Sequence, residues 1–279
     1  MAELAGAFGV PHTPLLWRLM AEEPPPDLRV VADEFARFRA LIEEAGPDVI
    51  VFVASDHFHQ YSHRNMATFA VGKADVIAGT YPNEEASFGL PRIQVPGHPG
   101  IARAILGRET LGGRFDFAFS DEPRLDHAYV VPLLYLVPDL SIPVVPIHTN
   151  TNAPPLPTAR RFTELGVYLR EAIEAWPSSE RVLVLGTGHL AYELGGPRQF
   201  SGESTDPDFD RSAVGWIRDG ALTEAVEGCT FDRLLAAGNL SFQFLNFLTL
   251  AALSGTRATT AEGVGCRFGN EPFFSWDTP

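Results

Sequence analysis

Cysteine is nearly missing from this chain: Cys229 and Cys266 are the only two in 279 residues. Two such residues cannot build a disulfide framework, and a pair of buried free thiols is the expectation. Positive charge is also scarce, with 21 Lys and Arg against 35 Asp and Glu and a formal net charge of −14. Phosphate backbones would be repelled by such a surface, which argues against nucleic acid as a partner. A small anionic substrate is not excluded, because a pocket can carry the opposite sign to its surroundings. No apolar run reaches the roughly 18 residues a membrane span requires. The start Met1–Pro14 lacks the basic and then apolar character of a signal peptide. No membrane partner is expected, and the expected location is the cytoplasm. Internal repeats and low-complexity tracts are missing too. So are a Cys-x-x-Cys pair, a Walker loop and a Gly-x-Ser-x-Gly elbow, which leaves zinc-finger, nucleotide and serine-hydrolase readings without support.

What is present is core material. Hydrophobic residues make up 45% of the chain and aromatics 11%, enough for a sizeable interior. Leu4–Val10 reads as a strand that turns at Pro11–Pro14. Pro24–Ala45 carries apolar residues at helical spacing (Val30, Val31, Phe35, Phe38, Leu41, Ile42) and is stopped by Gly46-Pro47. Asp48–Ala54 reads as a fully buried strand, Ile142–Ile147 and Val182–Leu185 as two more, and Thr158–Ala175 as the helix between those two. Phe231–Leu253 is expected to be one long apolar helix. Strands alternating with helices predict an α/β fold with a central, mostly parallel sheet flanked by helices. The proline-rich stretch Thr151–Pro157 is too short to divide it, so residues 1–279 are read as a single domain.

Polar clusters follow the strands. His12 comes after the first, Asp56 and His57 after the second, His148 closes another, and Gly186-Thr187-Gly188-His189 follows a fourth. Ligands of open α/β sheets bind beyond the carboxyl ends of the strands, so these clusters are expected to converge on one edge. Neutral imidazole is both the commonest metal ligand and the commonest general base near pH 7. His12 is held between Pro11 and Pro14, a rigid presentation that suits a ligand. If the strand before them continues, His57 and His59 point the same way; both then reach one ion, or His59 lines the pocket. Asp56 is a candidate to orient a ligand imidazole. His63 is expected to face solvent and His98, in Pro96-Gly97-His98-Pro99, to serve a turn. His127 and His148 are open to either role.

Taken in order, these motifs resemble the class III extradiol ring-cleavage dioxygenases, in particular the catalytic subunit of protocatechuate 4,5-dioxygenase. The resemblance is carried by Val10-Pro11-His12-Thr13-Pro14, Ser55-Asp56-His57, Val95-Pro96-Gly97-His98-Pro99, and Leu125-Asp126-His127 with Val131-Pro132-Leu133. Ile142-Pro143-Val144-Val145-Pro146, Gly186–His189 leading to Gly196-Pro197-Arg198, and Asp208-Phe209-Asp210 continue it along nearly the whole chain. It implies a non-haem Fe(II) held by two histidines and a carboxylate, with open positions for a catecholate and O2. It also implies a small aromatic substrate and a homo-oligomeric assembly, with or without a small second subunit. By position His12 and His57 match the histidine ligands, and His127 matches a histidine lining the substrate site.

Two departures stand out. The family has Gly-Gly-x-Ser-His where this chain reads Gly188-His189-Leu190-Ala191-Tyr192, so Tyr192 occupies the acid/base position and a new histidine, His189, precedes it by three residues. Tyrosine, with an ordinary pKa near 10, is a poor base at neutral pH, and His189 is the candidate to take over. The glutamate ligand is expected in Gly238-Asn239-Leu240-Ser241-Phe242-Gln243-Phe244, which contains no acid; Gln243 or Asn239 is the nearest substitute. An aromatic-ring-cleaving oxygenase, a non-catalytic homologous subunit, and a hydrolase or lyase using zinc at a redeployed site are the three functions compatible with that pattern.

Overall fold

The computed structural model describes residues 1–107, 114–199 and 201–277. Its strands are β1 (Glu3–Val10), β2 (Val49–Ser55), β3 (Phe69–Gly72), β4 (Val76–Gly79), β5 (Ile93–Pro96), β6 (Ala118–Ser120), β7 (Arg124–Leu125), β8 (Val144–Thr149), β9 (Arg181–Thr187), β10 (Thr260–Cys266) and β11 (Gly269–Trp276). Its helices are α1 (Leu15–Leu19), α2 (Pro26–Ala45), α3 (Pro82–Phe88), α4 (Pro99–Leu106) and α5 (His127–Leu136). They continue with α6 (Ala159–Ala175), α7 (Pro207–Asp219), α8 (Leu222–Gly228), α9 (Phe231–Ala237) and α10 (Leu245–Ser254).

An eight-stranded sheet runs in the order β10-β11-β1-β9-β2-β8-β3-β6. The inner four, β1, β9, β2 and β8, are mutually parallel. Here the expectation of a mostly parallel sheet needs correction, because the sheet is mixed. The β10–β11 hairpin pairs antiparallel with β1, and β3 pairs antiparallel with β8. The hairpin escaped the sequence reading because β10 (TAEGVGC) is half exposed and carries two glycines, so it lacks the apolar run of the buried strands. A smaller sheet, β5-β4-β7, packs beside it.

The inner strands are buried on both faces, which is why they read as continuous apolar runs. Side chains alternate across the sheet. Val49, Val51 and Val53 of β2 join Val182 and Val184 of β9 on the face covered by α4, α6, α7 and α10. Ile50, Phe52 and Ala54 join Leu183 and Leu185 on the face covered by α2 and α5. Helix α2 starts at Pro26 after two prolines and ends at Gly46 in the left-handed conformation (φ 53°). Its buried stripe, Leu28, Val31, Phe35, Phe38 and Ile42, has the spacing that aligns one face. Helix α6 follows the expected range, with Thr158 at its N-cap.

Phe231–Leu253 is not one helix. It forms α9, a 3₁₀ turn over Ser241–Phe244, and α10, and the two parts bend by 117°. Gly238 breaks it: its φ is 136°, and a Cβ there would meet the Tyr192 carbonyl oxygen at 2.2 Å. Among the described residues no single helix is long and apolar enough to cross a membrane; this bent pair together matches one in length and composition. Leu245–Leu250 of α10 are buried against α6 and the sheet. The bend brings Gln243 to the carboxyl ends of the parallel strands.

Candidate metal centre and its cavity

Three neighbouring parallel strands deliver the site. β1 ends at Val10 and the Pro11–Pro14 turn presents His12; β2 ends at Ser55 and presents His57; β9 ends at Thr187 and presents His189. Helix α5 contributes His127 as its first residue, with Asp126 as the N-cap accepting the Ala128 N–H at 2.9 Å. The four imidazoles pack together: His12 lies 5.2 Å from His57, 5.7 Å from His127 and 4.6 Å from His189 between ring centroids, and His57 lies 4.1 Å from His127. Nitrogens of His12, His57 and His127 fall within 4.8 Å of one another, a grouping that could hold a metal ion.

Two carboxylates fix which nitrogen faces the centre. His57 Nδ1 donates to Asp126 Oδ2 at 3.1 Å, and the His57 backbone N–H donates to the same oxygen at 2.9 Å. His127 Nδ1 donates to Glu84 Oε1 at 2.6 Å, and its backbone N–H does so at 3.0 Å. An ionised carboxylate only accepts, so each Nδ1 carries a proton, and in the neutral imidazole each Nε2 keeps a lone pair. Neither ring nitrogen of His12 has a partner, although the residue is fully buried. An orphaned imidazole in such a place has its desolvation uncompensated. These donors fit a divalent metal: unpartnered or lone-pair nitrogens converge, and the Nδ1 hydrogens of His57 and His127 are spent on carboxylates.

Charge follows from this packing. Burial, and then the neighbouring charges of His189, His57 and His127, hold His12 well below the ordinary histidine range. Burial, then His57 and His127, bring His189 down to about 3. Burial, then His57, lowers His127 against the pull of Glu84. The imidazoles with lowered pKa are thus neutral near pH 7, the form that ligates. Burial alone would raise the Glu84 carboxyl, but hydrogen bonds from His127 and His59 outweigh it and bring it down to about 2. Asp126 is likewise lowered, its burial outweighed by His57.

Asp56 does not orient a ligand imidazole, as expected from sequence. Its carboxylate accepts the backbone N–H groups of His59, Gln60 and Tyr61 and so builds the turn after β2. Burial, then the charge of Asp126, pushes it up to about 6. The strand does not continue through His59 either. Phe58 adopts φ 62°, a left-handed conformation costly for a non-glycine residue. This turn takes His59 away from the ion-binding group and onto Glu84, with Nε2 to Oε1 at 3.3 Å. His148 stays inside β8, with Nδ1 3.0 Å from the Tyr129 hydroxyl. His98 caps α4, accepting the Ile101 N–H, and His63 is exposed, both as expected.

Gln243 is fully buried beside the centre. His57 Nε2 has only a lone pair, so Gln243 Nε2 donates to it at 3.1 Å and to Asn152 Oδ1 at 3.4 Å, leaving Gln243 Oε1 without a partner. Asn239 is not an alternative: its amide is tied to the backbone of Leu194 on both sides. Tyr192 stacks on His189 with ring centroids 4.7 Å apart, and burial, then Glu271, pushes its hydroxyl up to about 12. His57, His127, His189 and Tyr192 all line one cavity of about 620 Å³. Cys229 and Cys266 are buried free thiols outside it.

Residues 6–275 match the family described as the catalytic LigB subunit of aromatic ring-opening dioxygenase. The chain belongs to that family. Within LigB-type proteins it is 31% identical over 186 residues to a 2,3-dihydroxyphenylpropionate/2,3-dihydroxicinnamic acid 1,2-dioxygenase of Rhodococcus jostii (strain RHA1), covering 65% of this chain and 54% of that protein. It is 30% identical over 243 residues to the protein of the same name from Rhodococcus sp, covering 84% and 71%. The chain thus spans about half the length of the first of these relatives. Among solved structures, an uncharacterized Escherichia coli K12 protein, JW3007, shares the fold with a TM-score of 0.63 at 14% identity, over 97% of this chain and 98% of that one.

Three members of this LigB site were not legible in the sequence. Glu84 and Asp126 act across 43 and 69 positions of chain, and Glu271, which accepts from Thr13 Oγ1 at 2.8 Å, lies on the unexpected hairpin. Burial pushes that Glu271 carboxyl up to about 7. Pro82 at the first helical turn marks the helix start, where Glu84 accepts the Tyr81 backbone N–H at 3.2 Å, but nothing there signals the reach to His127.

Proposed function

We propose that this chain is an extradiol-type dioxygenase that opens the ring of a small catecholic compound with O2, using Fe(II). The observation that carries the reading is the convergence of His12, His57 and His127 nitrogens within 4.8 Å, at the inner wall of a cavity lined by His189 and Tyr192. His12 and His57 are the two metal-binding histidines in this reading. His127, which the sequence assigned to the substrate side, joins them because its Nδ1 proton is held by Glu84. Gln243 supplies a neutral oxygen if its amide turns to present Oε1; in the orientation seen, its N–H faces the centre.

When bound, the metal would supply a Lewis-acidic centre at which a catecholate and O2 meet. The chain's own residues do the rest. The cavity walls orient the ring, and the carboxylates Asp126 and Glu84 hold the imidazoles of His57 and His127 in one tautomer. His189 enters neutral and accepts a proton from a substrate hydroxyl; the negative charge left on the substrate raises its affinity for that proton. Tyr192, protonated throughout, donates a hydrogen bond to a substrate or dioxygen oxygen and keeps the His189 ring in place.

With no anionic ligand among these donors, the ion's charge would be compensated chiefly by the catecholate. A three-histidine set also suits zinc, so hydrolytic or lyase chemistry is the second reading. Metal analysis of anaerobically purified protein, with oxygen uptake on catechols, tests both. Stoichiometric iron with uptake is expected, and His12→Ala or His57→Ala should abolish metal binding. Metal content unchanged in both variants would refute the site; zinc with no uptake would favour the second reading.

A further inference from the structure

The histidine cluster occupies one wall of the cavity; what lines the remainder is informative about the substrate's other end. At about 620 Å³ the space is of the size that holds a drug-sized ligand, so a bare catechol ring leaves much of it unfilled. Leu15, Phe58, Phe88, Leu194 and Leu240 supply apolar lining there. Among the described residues, neither Lys nor Arg lines it. The nearby guanidinium groups are committed elsewhere: Arg124 lies over the Tyr81 ring and donates to the Thr80 carbonyl, and Arg198 pairs with Glu193 and the Thr205 carbonyl.

Part of the polar lining is committed, and Asn83 and Gln199 add only neutral amides, with no counter-charge. Asn152 Nδ2 donates to the Asp56 carbonyl, Asn239 Nδ2 to the Leu194 carbonyl, and Thr13 Oγ1 to Glu271. His59 is already held by Glu84, Nε2 to Oε1 at 3.3 Å, and both residues line the cavity. A carboxylate placed on the ring substituent among these apolar side chains would lose water without meeting a Lys or Arg counter-charge.

We propose that the cavity selects catechols whose ring substituent is uncharged and largely apolar, and discriminates against those bearing a carboxylate. The inference rests on the catechol reading above and specifies the substrate class of that same site. The substituent's charge is read by Leu194, Leu240, Phe58 and Phe88, while the vicinal hydroxyls engage the metal side. It also makes the chain differ from relatives named for a phenylpropionate.

The test compares an isosteric pair, 3-(2,3-dihydroxyphenyl)propionate and its primary amide, on the iron-loaded protein. Anaerobic titration gives binding, and oxygen uptake gives kcat/KM. The amide is expected to bind at least tenfold more tightly and to show the higher kcat/KM. Equal or tighter binding of the acid, or binding of neither compound, overturns the inference. Tight binding of the amide without oxygen uptake would instead sustain the charge selection and sink the dioxygenase reading, so the two failures are distinct. Leu194 is 51% exposed, so Leu194→Arg should fold. It is expected to raise affinity for the acid relative to the amide fivefold or more, and no relative gain for the acid would count against the proposed wall.

Discussion

Replacing Gln243 by glutamate asks whether this side chain sits at the third ligand position. In the wild-type protein Gln243 is fully buried, its Nε2 faces His57 Nε2 at 3.1 Å, and its Oε1 has no partner. An unsatisfied buried oxygen costs about 1–3 kcal/mol. The metal-free Gln243→Glu variant should be worse, because it loses the amide's donation to Asn152 and buries a carboxylate; a further loss of about 1–3 kcal/mol is expected. Metal reverses the order. The carboxylate presents an anionic oxygen whichever way it turns, whereas the amide must rotate away from His57. A tenfold gain in affinity is the least expected, which at saturating metal adds about 1.4 kcal/mol of stabilisation. For a chain of this size that corresponds to about 3–6 °C more metal-induced shift in Tm than the wild type shows. Anaerobic thermal unfolding with and without Fe(II), repeated with Zn(II), measures it. An equal or smaller metal-induced shift in the variant would refute the placement of Gln243 at the centre.

Other expectations follow from the same geometry. His189→Ala should lower oxygen uptake by about 10²- to 10⁴-fold with metal content intact, and Tyr192→Phe should cost less because it keeps the ring stacked on His189; loss of metal from the first variant would count His189 as a ligand instead. Asp126→Asn keeps a good N-cap for α5 but removes the anion that holds His57 Nδ1, so metal affinity should fall about 10- to 100-fold with modest loss of stability, and an unchanged affinity by calorimetry would deny Asp126 that role. Burial lowers His148 to about 4, below its ordinary 6.5. The unfolded chain therefore binds the proton more readily, and this contribution to stability is complete above pH 6.5 and lost as pH falls toward 4. Relative to His148→Gln, the metal-free wild type should lose about 1.4 kcal/mol per pH unit across that window, and parallel urea-unfolding stabilities at pH 7 and pH 5 would contradict it.

Much of this protein was decided by local sequence. Runs such as VIVFVAS are buried on both faces whatever surrounds them, so the inner strands and the order of helices between them were readable. So was the position of His12, His57 and His189, because residues just past parallel strands must lie at one edge of the sheet. The rest depended on contacts between distant segments. A half-exposed hairpin with glycines has no periodic signature, yet it closes the edge beside β1, makes the sheet mixed and brings Glu271 to Thr13. The 117° break at Gly238 is dictated by the Tyr192 carbonyl it packs against, and that break is what carries Gln243 to the histidines. Which nitrogen of His57 and His127 keeps its lone pair was decided by Asp126 and Glu84. Hydrogen-bond partners of that kind are chosen by proximity in space, and a linear pattern of residues has no term for it.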